Sequence, residues 1–420
     1  MLAQEGDFVY GDLLPDAPEL AASGDYGVGV QTLNLVNPDQ VDMLNLSEAN
    51  PNARYDRPLT VEVWYPAIIP EGEEERTTYE SQLGRADQNN LESFSFAGRA
   101  LRDAEPETAG APYPLIIVSH GLPGSRYMMT YLTENLASKG YVVIAIDHTD
   151  STFADTASFF STLMNRAIDQ NFVLAEAANL SEGDGFLGGL VDADNTAIIG
   201  YSMGGYGALN AVGAGYNATL QGFLPAIEPR MAGNADYEAS LDERIKAIVV
   251  LAPWGGNLSA FGMPDMGFWD AESLSGIDVP SLWIAGELDD VAGYDAIVNL
   301  FDNAVNSERY LLTYENALHN VAPNPPPAFV RDFSDYERYS EPAWDERRIN
   351  NINQHFVTAF LGQYLLGEDY SDYLQPSVEN ANDGIVSLDE AGNPTEEHSY
   401  WAGFLPRTAT GMSLRYIPAE

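Results

Sequence analysis

An α/β fold with one doubly wound, mostly parallel sheet is expected from three observations. Short apolar runs that read as strands covered on both faces recur at residues 115–118, 141–146, 197–199, 247–251, 281–285 and 310–314. Helical stretches separate most of them, and strands alternating with helices build right-handed βαβ units within a single sheet. Ahead of these, residues 26–36 and 59–65 alternate apolar and polar, as half-buried N-terminal strands of the antiparallel kind do.

In chain order, residues 1–24 read as an irregular arm, and Asn/Pro/Asp-rich and Glu-rich loops surround the two alternating strands. The 115–118 run is followed by a helical pattern at 127–138, the 141–146 strand and a long helical pattern at 159–180. After residue 199 a glycine-rich turn leads into a small-residue helix at 205–212. Residues 213–243 and 254–278 interrupt the rhythm around the 247–251 strand and are expected as insertions over the C-terminal edge of the sheet. The main domain is assigned to 25–366. Residues 367–420 form a C-terminal extension packed on it, and no internal repeat is found.

Composition narrows the function classes. The 420 residues are 45% hydrophobic, enough for a substantial core, and no apolar run approaches the ~20 residues that span a bilayer. Cysteine is absent, which rules out disulfides, thiolate metal sites and a cysteine nucleophile. A formal net charge of -44 repels nucleic acid and anionic membranes, and lysine occurs only at Lys139 and Lys246. Such a surface suits saline surroundings, where salt screens self-repulsion. The start, MLAQEGDFVYGDLLPD, has neither the basic nor the apolar region of a leader and reads as an already mature chain, so a secreted or periplasmic protein is expected.

The chemistry lies in TAIIGYSMGG, residues 196–205. A Gly-x-Ser-x-Gly pentapeptide between a buried strand and a helix puts Ser202 on a sharp turn that needs glycines, because a Cβ there would collide with neighbouring backbone. The helix N-terminus beneath the serine offers unpaired N–H groups and the positive end of a dipole. A serine nucleophile needs a base, and the base needs an orienting acid, in the order Ser, Asp/Glu, His along such a sheet. Of five histidines, His120 and His148 precede Ser202, His355 lies in a helical pattern and His398 in the acidic tail. His319, in the loop after the 310–314 strand, meets the expectation. The acid should follow the 281–285 strand, where Glu287, Asp289 and Asp290 are available; Asp289 is selected, with Asp290 as runner-up. Two backbone donors for an oxyanion are expected from Met203 and from Leu122, in the loop Ser119-His120-Gly121-Leu122-Pro123-Gly124 that His120 is expected to brace.

These segments resemble the α/β-hydrolase superfamily over roughly residues 26–366, and more narrowly its platelet-activating-factor acetylhydrolases, dienelactone-hydrolase-like proteins and cutinase-like polyester hydrolases. VGVQTLNL…LTVEVWYPA and SHGLPGSR are similar to the acetylhydrolase side; ENLASKGYVVIAIDHTDST, GYSMGG and the APW of 252–254 are similar to the polyester hydrolases. The absence of cysteine departs from dienelactone hydrolases proper. Gly121-Leu122 stands where polyester hydrolases carry Gly-Tyr or Gly-Phe. The resemblance implies that Tyr201 and Trp254 flank a substrate cleft. Phe261, Met263, Met266, Phe268 and Trp269 form an aromatic and Met-rich stretch suited to apolar acyl or aryl groups, or else to a private core. The acidic clusters around Asp147 and Asp150 and between Glu379 and Glu397 are expected to be solvated surface, with no metal and no cofactor.

The leading expectation is a serine carboxylic-ester hydrolase for short-acyl or aromatic esters, with phthalate-type diesters and polyesters within range. The alternatives are an acetylhydrolase-like phospholipase A2 and a non-catalytic binding protein of the same fold.

Overall fold

The computed structural model describes residues 8–222, 225–264 and 266–420. Residues 1–7 of the expected arm, and Phe223, Leu224 and Asp265 of the two expected insertions, lie outside the described residues. The chain opens with two long strands, β1 (Gly27–Val41) and β2 (Arg54–Ile68), then a hairpin of β3 (Thr77–Leu83) and β4 (Glu92–Gly98) that the sequence pattern did not announce. Two short strands follow, β5 (Leu101–Arg102) and β6 (Glu105–Pro106). The alternating α/β part runs β7 (Tyr113–Ser119), α1 (Thr130–Ala137), β8 (Val142–Asp147), α2 (Phe159–Ser181), β9 (Val191–Tyr201), α3 (Met203–Ala211), α4 (Ala235–Glu238) and β10 (Ile245–Leu251). It continues through α5 (Ala271–Leu274), β11 (Ser281–Gly286), α6 (Tyr294–Asn303), β12 (Arg309–Tyr314), α7 (Phe333–Tyr336) and α8 (Glu346–Leu365). α9 (Ser371–Leu374) and β13 (Met412–Ile417) belong to the C-terminal extension.

The large sheet has the order β13-β12-β11-β10-β9-β7-β8-β2-β1-β5. Pairing is parallel from β8 across to β12, and antiparallel where β2 meets β8, where β1 meets β2 and where β13 meets β12. Successive side chains of a strand face opposite ways, so each buried strand feeds two cores. In β7, Leu115 and Ile117 join one core with Leu163, Val173 and Leu209 of α2 and α3; Ile116 and Val118 join the other with Leu132, Phe356 and Phe360 of α1 and α8. That double coverage is why the strands read as continuous apolar runs. Local chemistry starts the long helices: Ser158 accepts the Ser161 N–H ahead of α2, and Asp345 accepts the Arg347 and Arg348 N–H groups ahead of α8.

Both ends are tied to this body. The Lys139 ammonium donates to Leu20 O, Asn135 Oδ1 and Thr358 Oγ1, each at 2.7 Å, joining the arm to α1 and α8. The Glu19 N–H reaches Gly403 O at 2.9 Å, joining the arm to the extension. One of only two lysines is thus an internal strut. Because counterions relieve the self-repulsion of a net charge of -44, melting temperature is expected to rise between low salt and about 1 M NaCl, where the Debye length is ~3 Å. Calorimetry across that range checks it, and a flat or falling melting temperature overturns it.

Candidate active site

The turn after β9 carries Ser202 at φ 51°, ψ -111°, a conformation that L-residues rarely adopt and that costs of order 1–3 kcal/mol. The sequence permits it through its glycines. A Cβ on Gly200 would lie 2.4 Å from Gly204 backbone, and one on Gly204 would lie 2.0 Å from Ser119 O. α3 therefore packs directly on the ends of β7 and β9, and the serine projects beyond the sheet at the helix N-terminus.

His319, in the loop after β12, approaches Ser202 Oγ through Nε2 at 3.0 Å and Asp289 Oδ2 through Nδ1 at 2.8 Å. A carboxylate oxygen only accepts, so Nδ1–H donates to Asp289 and Nε2 is left to accept the serine proton. The three expected acids take different places. Asp289, after β11, is the one on His319, and its Oδ1 accepts N–H groups from Val291, Ala292 and Gly293 at 2.9, 2.7 and 3.3 Å. Burial pushes its pKa up, but the His319 and backbone hydrogen bonds outweigh burial and hold it below the usual carboxylate range. Glu287 instead accepts the Asn316 N–H at 2.9 Å, and Asp290 faces the cavity described below.

The loop after β7 closes against the serine. A Cβ on Gly121 would stand 3.2 Å from the Tyr201 ring and 3.4 Å from Ser202 Cβ, so Leu122 follows the serine at close quarters. The Met203 N–H, at the first helical position of α3, has no partner within the helix by geometry.

Beneath that loop lies a buried network missed in the sequence. Ser119 Oγ meets His148 Nε2 at 2.8 Å, and His148 Nδ1 meets Asp169 Oδ2 at 2.9 Å, all three buried. This repeats the Ser–His–Asp order away from solvent. Arg57 grips Asp169 through Nε at 2.8 Å and Nη2 at 2.9 Å, and reaches Asp150 at 3.2 Å. Arg166 donates to His120 O at 2.6 Å, to Gly121 O at 3.3 Å and to the Ser151 hydroxyl. His120 donates from Nδ1 to Gly121 O at 2.7 Å and accepts the His148 N–H at 3.3 Å, so it sits within the loop and not beside Ser202. The expectation of solvated acids at Asp147 and Asp150 is corrected here: Asp147 pairs with Arg126, and Asp150 is buried against Arg57 and the Ser161 hydroxyl. Few acids stay unpaired in the interior because burying a lone charge is costly. Among the described residues no group of three metal-ligating side chains is assembled.

His355, on α8 with its ring against Tyr373 and Phe404 of the extension, accepts the Leu20 N–H at 3.1 Å. Burial lowers the pKa of His148 and of His355 to about 3, with the Arg166 charge adding to the effect at His148 and the Lys139 charge at His355. Burial, with Arg166 and His148, also lowers His120 well below its ordinary value. The unfolded chain protonates these rings near 6.5 and the folded chain does not, so acid favours unfolding. Unfolding free energy is therefore expected to fall continuously as pH drops from about 6.5 to about 3. Denaturant melts over that window check it, and a stability unchanged down to pH ~4 overturns it.

A cavity of about 810 Å³ opens over Ser202 and His319. Tyr201 lines it, with its ring 5.3 Å from that of His319 and its hydroxyl donating to Asn320 Oδ1 at 2.9 Å. Asn320 in turn donates to Glu337 O at 2.5 Å and Ser340 O at 3.0 Å, which fastens the 333–342 wall over the site. The expectation that Trp254, Phe261, Met263, Phe268 and Trp269 line the cavity is not met. The Trp254 N–H reaches Ser202 O at 3.2 Å, but its ring turns away to Phe159 (5.5 Å) and Phe268 (5.6 Å). Phe268 meets Tyr206 edge-on at 5.0 Å and Trp269 tilts against it at 5.5 Å, Met263 packs on the same core, and Phe261 rests on Phe159 at 5.8 Å. Among the described residues, none of the lining comes from 213–243 or 254–278; its cover comes from Phe333, Tyr336 and their neighbours.

Sheet order, the strained serine turn and the strand-end positions of Asp289 and His319 define an α/β-hydrolase fold. Comparison with known proteins agrees. The sequence model of the family described as Platelet-activating factor acetylhydrolase, isoform II, matches residues 22–182. Cutinase est1 of Thermobifida alba is 28% identical over 214 residues, 50% of this chain and 55% of that protein. Cutinase 2 of Thermobifida cellulosilytica is 26% identical over 251 residues, 59% of this chain and 72% of that protein. A platelet-activating factor acetylhydrolase of Cavia porcellus is 33% identical over 75 residues, 18% of this chain and 17% of that protein. The chain thus spans about half the length of the first of these cutinases. A ferulic acid esterase structure from Streptomyces cinnamoneus superposes with a TM-score of 0.55 at 20% identity, covering 84% of this chain and 94% of that one, a likeness of fold. The protein is therefore an α/β-hydrolase-fold chain similar to acetylhydrolases and cutinases. Among the described residues, no helix is long and apolar enough to cross a membrane.

Proposed function

We propose that the protein is a serine carboxylic-ester hydrolase working through an acyl-enzyme, with Ser202 as nucleophile, His319 as base and Asp289 as orienting acid. The observation that carries this reading is the continuous hydrogen-bonded chain Asp289–His319–Ser202, at 2.8 and 3.0 Å, on a strained turn at the floor of the cavity. Ser202 Oγ attacks the ester carbonyl while His319 Nε2 takes its proton, and Asp289 stabilises the resulting imidazolium. The Met203 and Leu122 N–H groups receive the developing oxyanion, each such donor being worth ~10²–10³ in rate. The imidazolium returns its proton to the leaving alcohol, and water, deprotonated by the same ring, releases the acid.

Similarity to cutinases, together with a lining that includes Leu122, Met128, Val291 and Phe333, favours short-acyl or aromatic esters, with phthalate-type diesters and polyesters within the same class. A second reading, a phospholipase A2 of the acetylhydrolase kind, is favoured by the family match over 22–182. Turnover of p-nitrophenyl acyl esters, phthalate diesters, a polyester film and a short-acyl phospholipid, beside fluorophosphonate labelling, separates these readings. No labelling and no turnover of any ester overturns both.

A further inference from the structure

Ester hydrolysis by itself gives no role to one charged side chain of the cavity wall. Arg338 lines the same cavity as Ser202 and His319 and is, among the described residues, the one arginine or lysine in its lining. Its side chain forms no hydrogen bond and no ion pair with any described residue, and its Nε is shut off from solvent without a partner. The chain carries 63 acidic residues to 19 basic ones, so carboxylate partners are abundant. Arg57, Arg99, Arg102, Arg126, Arg244 and Arg415 all have carboxylate partners. A guanidinium presents a planar fork of donors that matches a carboxylate and loses much less to dehydration than an ammonium does. Its backbone is held in place, since Asn320 binds the carbonyls of Glu337 and Ser340 on either side.

Resting on the ester-hydrolase reading above, we propose that Arg338 is an anion subsite of this cavity and that the preferred ester carries a free carboxylate. The simplest such ester is the half-ester of a dicarboxylic acid. Its free carboxylate docks on Arg338 while its ester carbonyl meets Ser202, and apolar Leu122, Met128 and Val291 take the carbon skeleton between. The bond balance is ordinary hydrolysis: the acyl–oxygen bond breaks, the alcohol leaves with a proton, and water supplies the hydroxyl of the second carboxyl group. A monoanion suits the site better than a phosphate dianion, because Asp290 and Glu337 also line the cavity and repel added negative charge. The class of reaction that supplies this substrate is the first cleavage of a diester.

The test compares kcat/KM for the monoethyl and diethyl esters of one dicarboxylic acid, and for 4-acetoxybenzoate, its methyl ester and 4-acetoxyphenyl phosphate, in wild type, Arg338→Gln and Arg338→Lys. The wild type is expected to favour a carboxylate-bearing ester over its neutral partner. Arg338→Gln is expected to lower that ratio ~10–100-fold, mainly through KM, the range of a charge-assisted hydrogen bond. Arg338→Lys is expected to keep part of it, a graded response that a merely structural role would not produce. A wild-type ratio at or below one for both pairs, or a ratio unchanged in Arg338→Gln, overturns the subsite and leaves the hydrolase intact. Preference for the phosphate ester over its carboxylate counterpart overturns the carboxylate assignment. No turnover of any of these esters by the wild type, charged or neutral, overturns the ester-hydrolase reading itself, and the subsite with it.

Discussion

Ser202→Ala is expected to lower ester hydrolysis by about 10⁶-fold in kcat while the chain keeps its fold, the scale of serine removal in serine hydrolases. On the proposed mechanism the effect is large because His319 and Asp289 have nothing to activate once the hydroxyl is gone. Folding should survive, since only the oxygen that meets His319 at 3.0 Å is lost, and the turn depends on Gly200 and Gly204. Relief of the dihedral strain is not expected either, because alanine keeps a Cβ at φ 51°. Steady-state kinetics on a p-nitrophenyl ester, with fluorophosphonate labelling and a melting curve as controls, measure it. Turnover within tenfold of wild type would remove Ser202 from the mechanism. Asp290→Asn serves as the neighbouring control, because that side chain is not on His319.

The second large effect is on stability. Asp169→Ala is expected to cost about 3–5 kcal/mol of unfolding free energy, the range for removing one partner of a buried ion pair. Asp169 is fully buried, and Arg57 beside it is 1% exposed. Burial alone would raise the Asp169 pKa, but the Arg57 charge and the His148 hydrogen bond bring it down to about 2. A carboxylate whose folded pKa is depressed contributes stability above its unfolded value near ~3.9 and loses it as pH falls towards the folded one. The variant leaves the Arg57 guanidinium in a dry interior with Asp150 at 3.2 Å as its remaining ion-pair partner, and leaves the His148 Nδ1 without an acceptor. Because His148 and Arg166 hold the carbonyls and rings behind Gly121, activity is expected to fall along with stability. Urea unfolding at pH 7 decides it, and a loss below ~1 kcal/mol would mean that the network contributes little.

How much of this was legible in one sequence depended on the range of the forces involved. Buried strands were readable as apolar runs because parallel strands are covered on both faces, and β7 through β12 appear where those runs lie. The β3–β4 hairpin was not, because TTYESQL and ESFSFAG carry a mixed pattern that a loop would also show. Ser202 was legible because a strained turn between strand and helix is dictated within ten residues, by glycines whose missing Cβ atoms make room for packed backbone. Asp289 and His319 could be chosen because each candidate lay just beyond a recognisable strand end, and the fold brings those ends to one edge. Their adjacency kept Asp290 as runner-up to Asp289, because which neighbouring side chain turns towards His319 is a matter of loop packing.

The pocket shows where such reading stops. FGMPDMGFW is equally suited to a ligand surface and to a private core, and the choice rests on where Tyr206 and Tyr216 stand. The wall that does cover the site, around Phe333, Tyr336 and Arg338, has no motif; it is held by Asn320 through two backbone carbonyls. Arg57 and Asp169 meet across 112 residues of sequence with no local sign of either partner. Short-range sterics and strand periodicity therefore settle the architecture and the strained serine turn from the chain alone. The destination of an apolar insertion, the partner of a buried charge and the walls of the cavity depend on packing between distant segments, where many sequences satisfy the same contact and no single residue announces it.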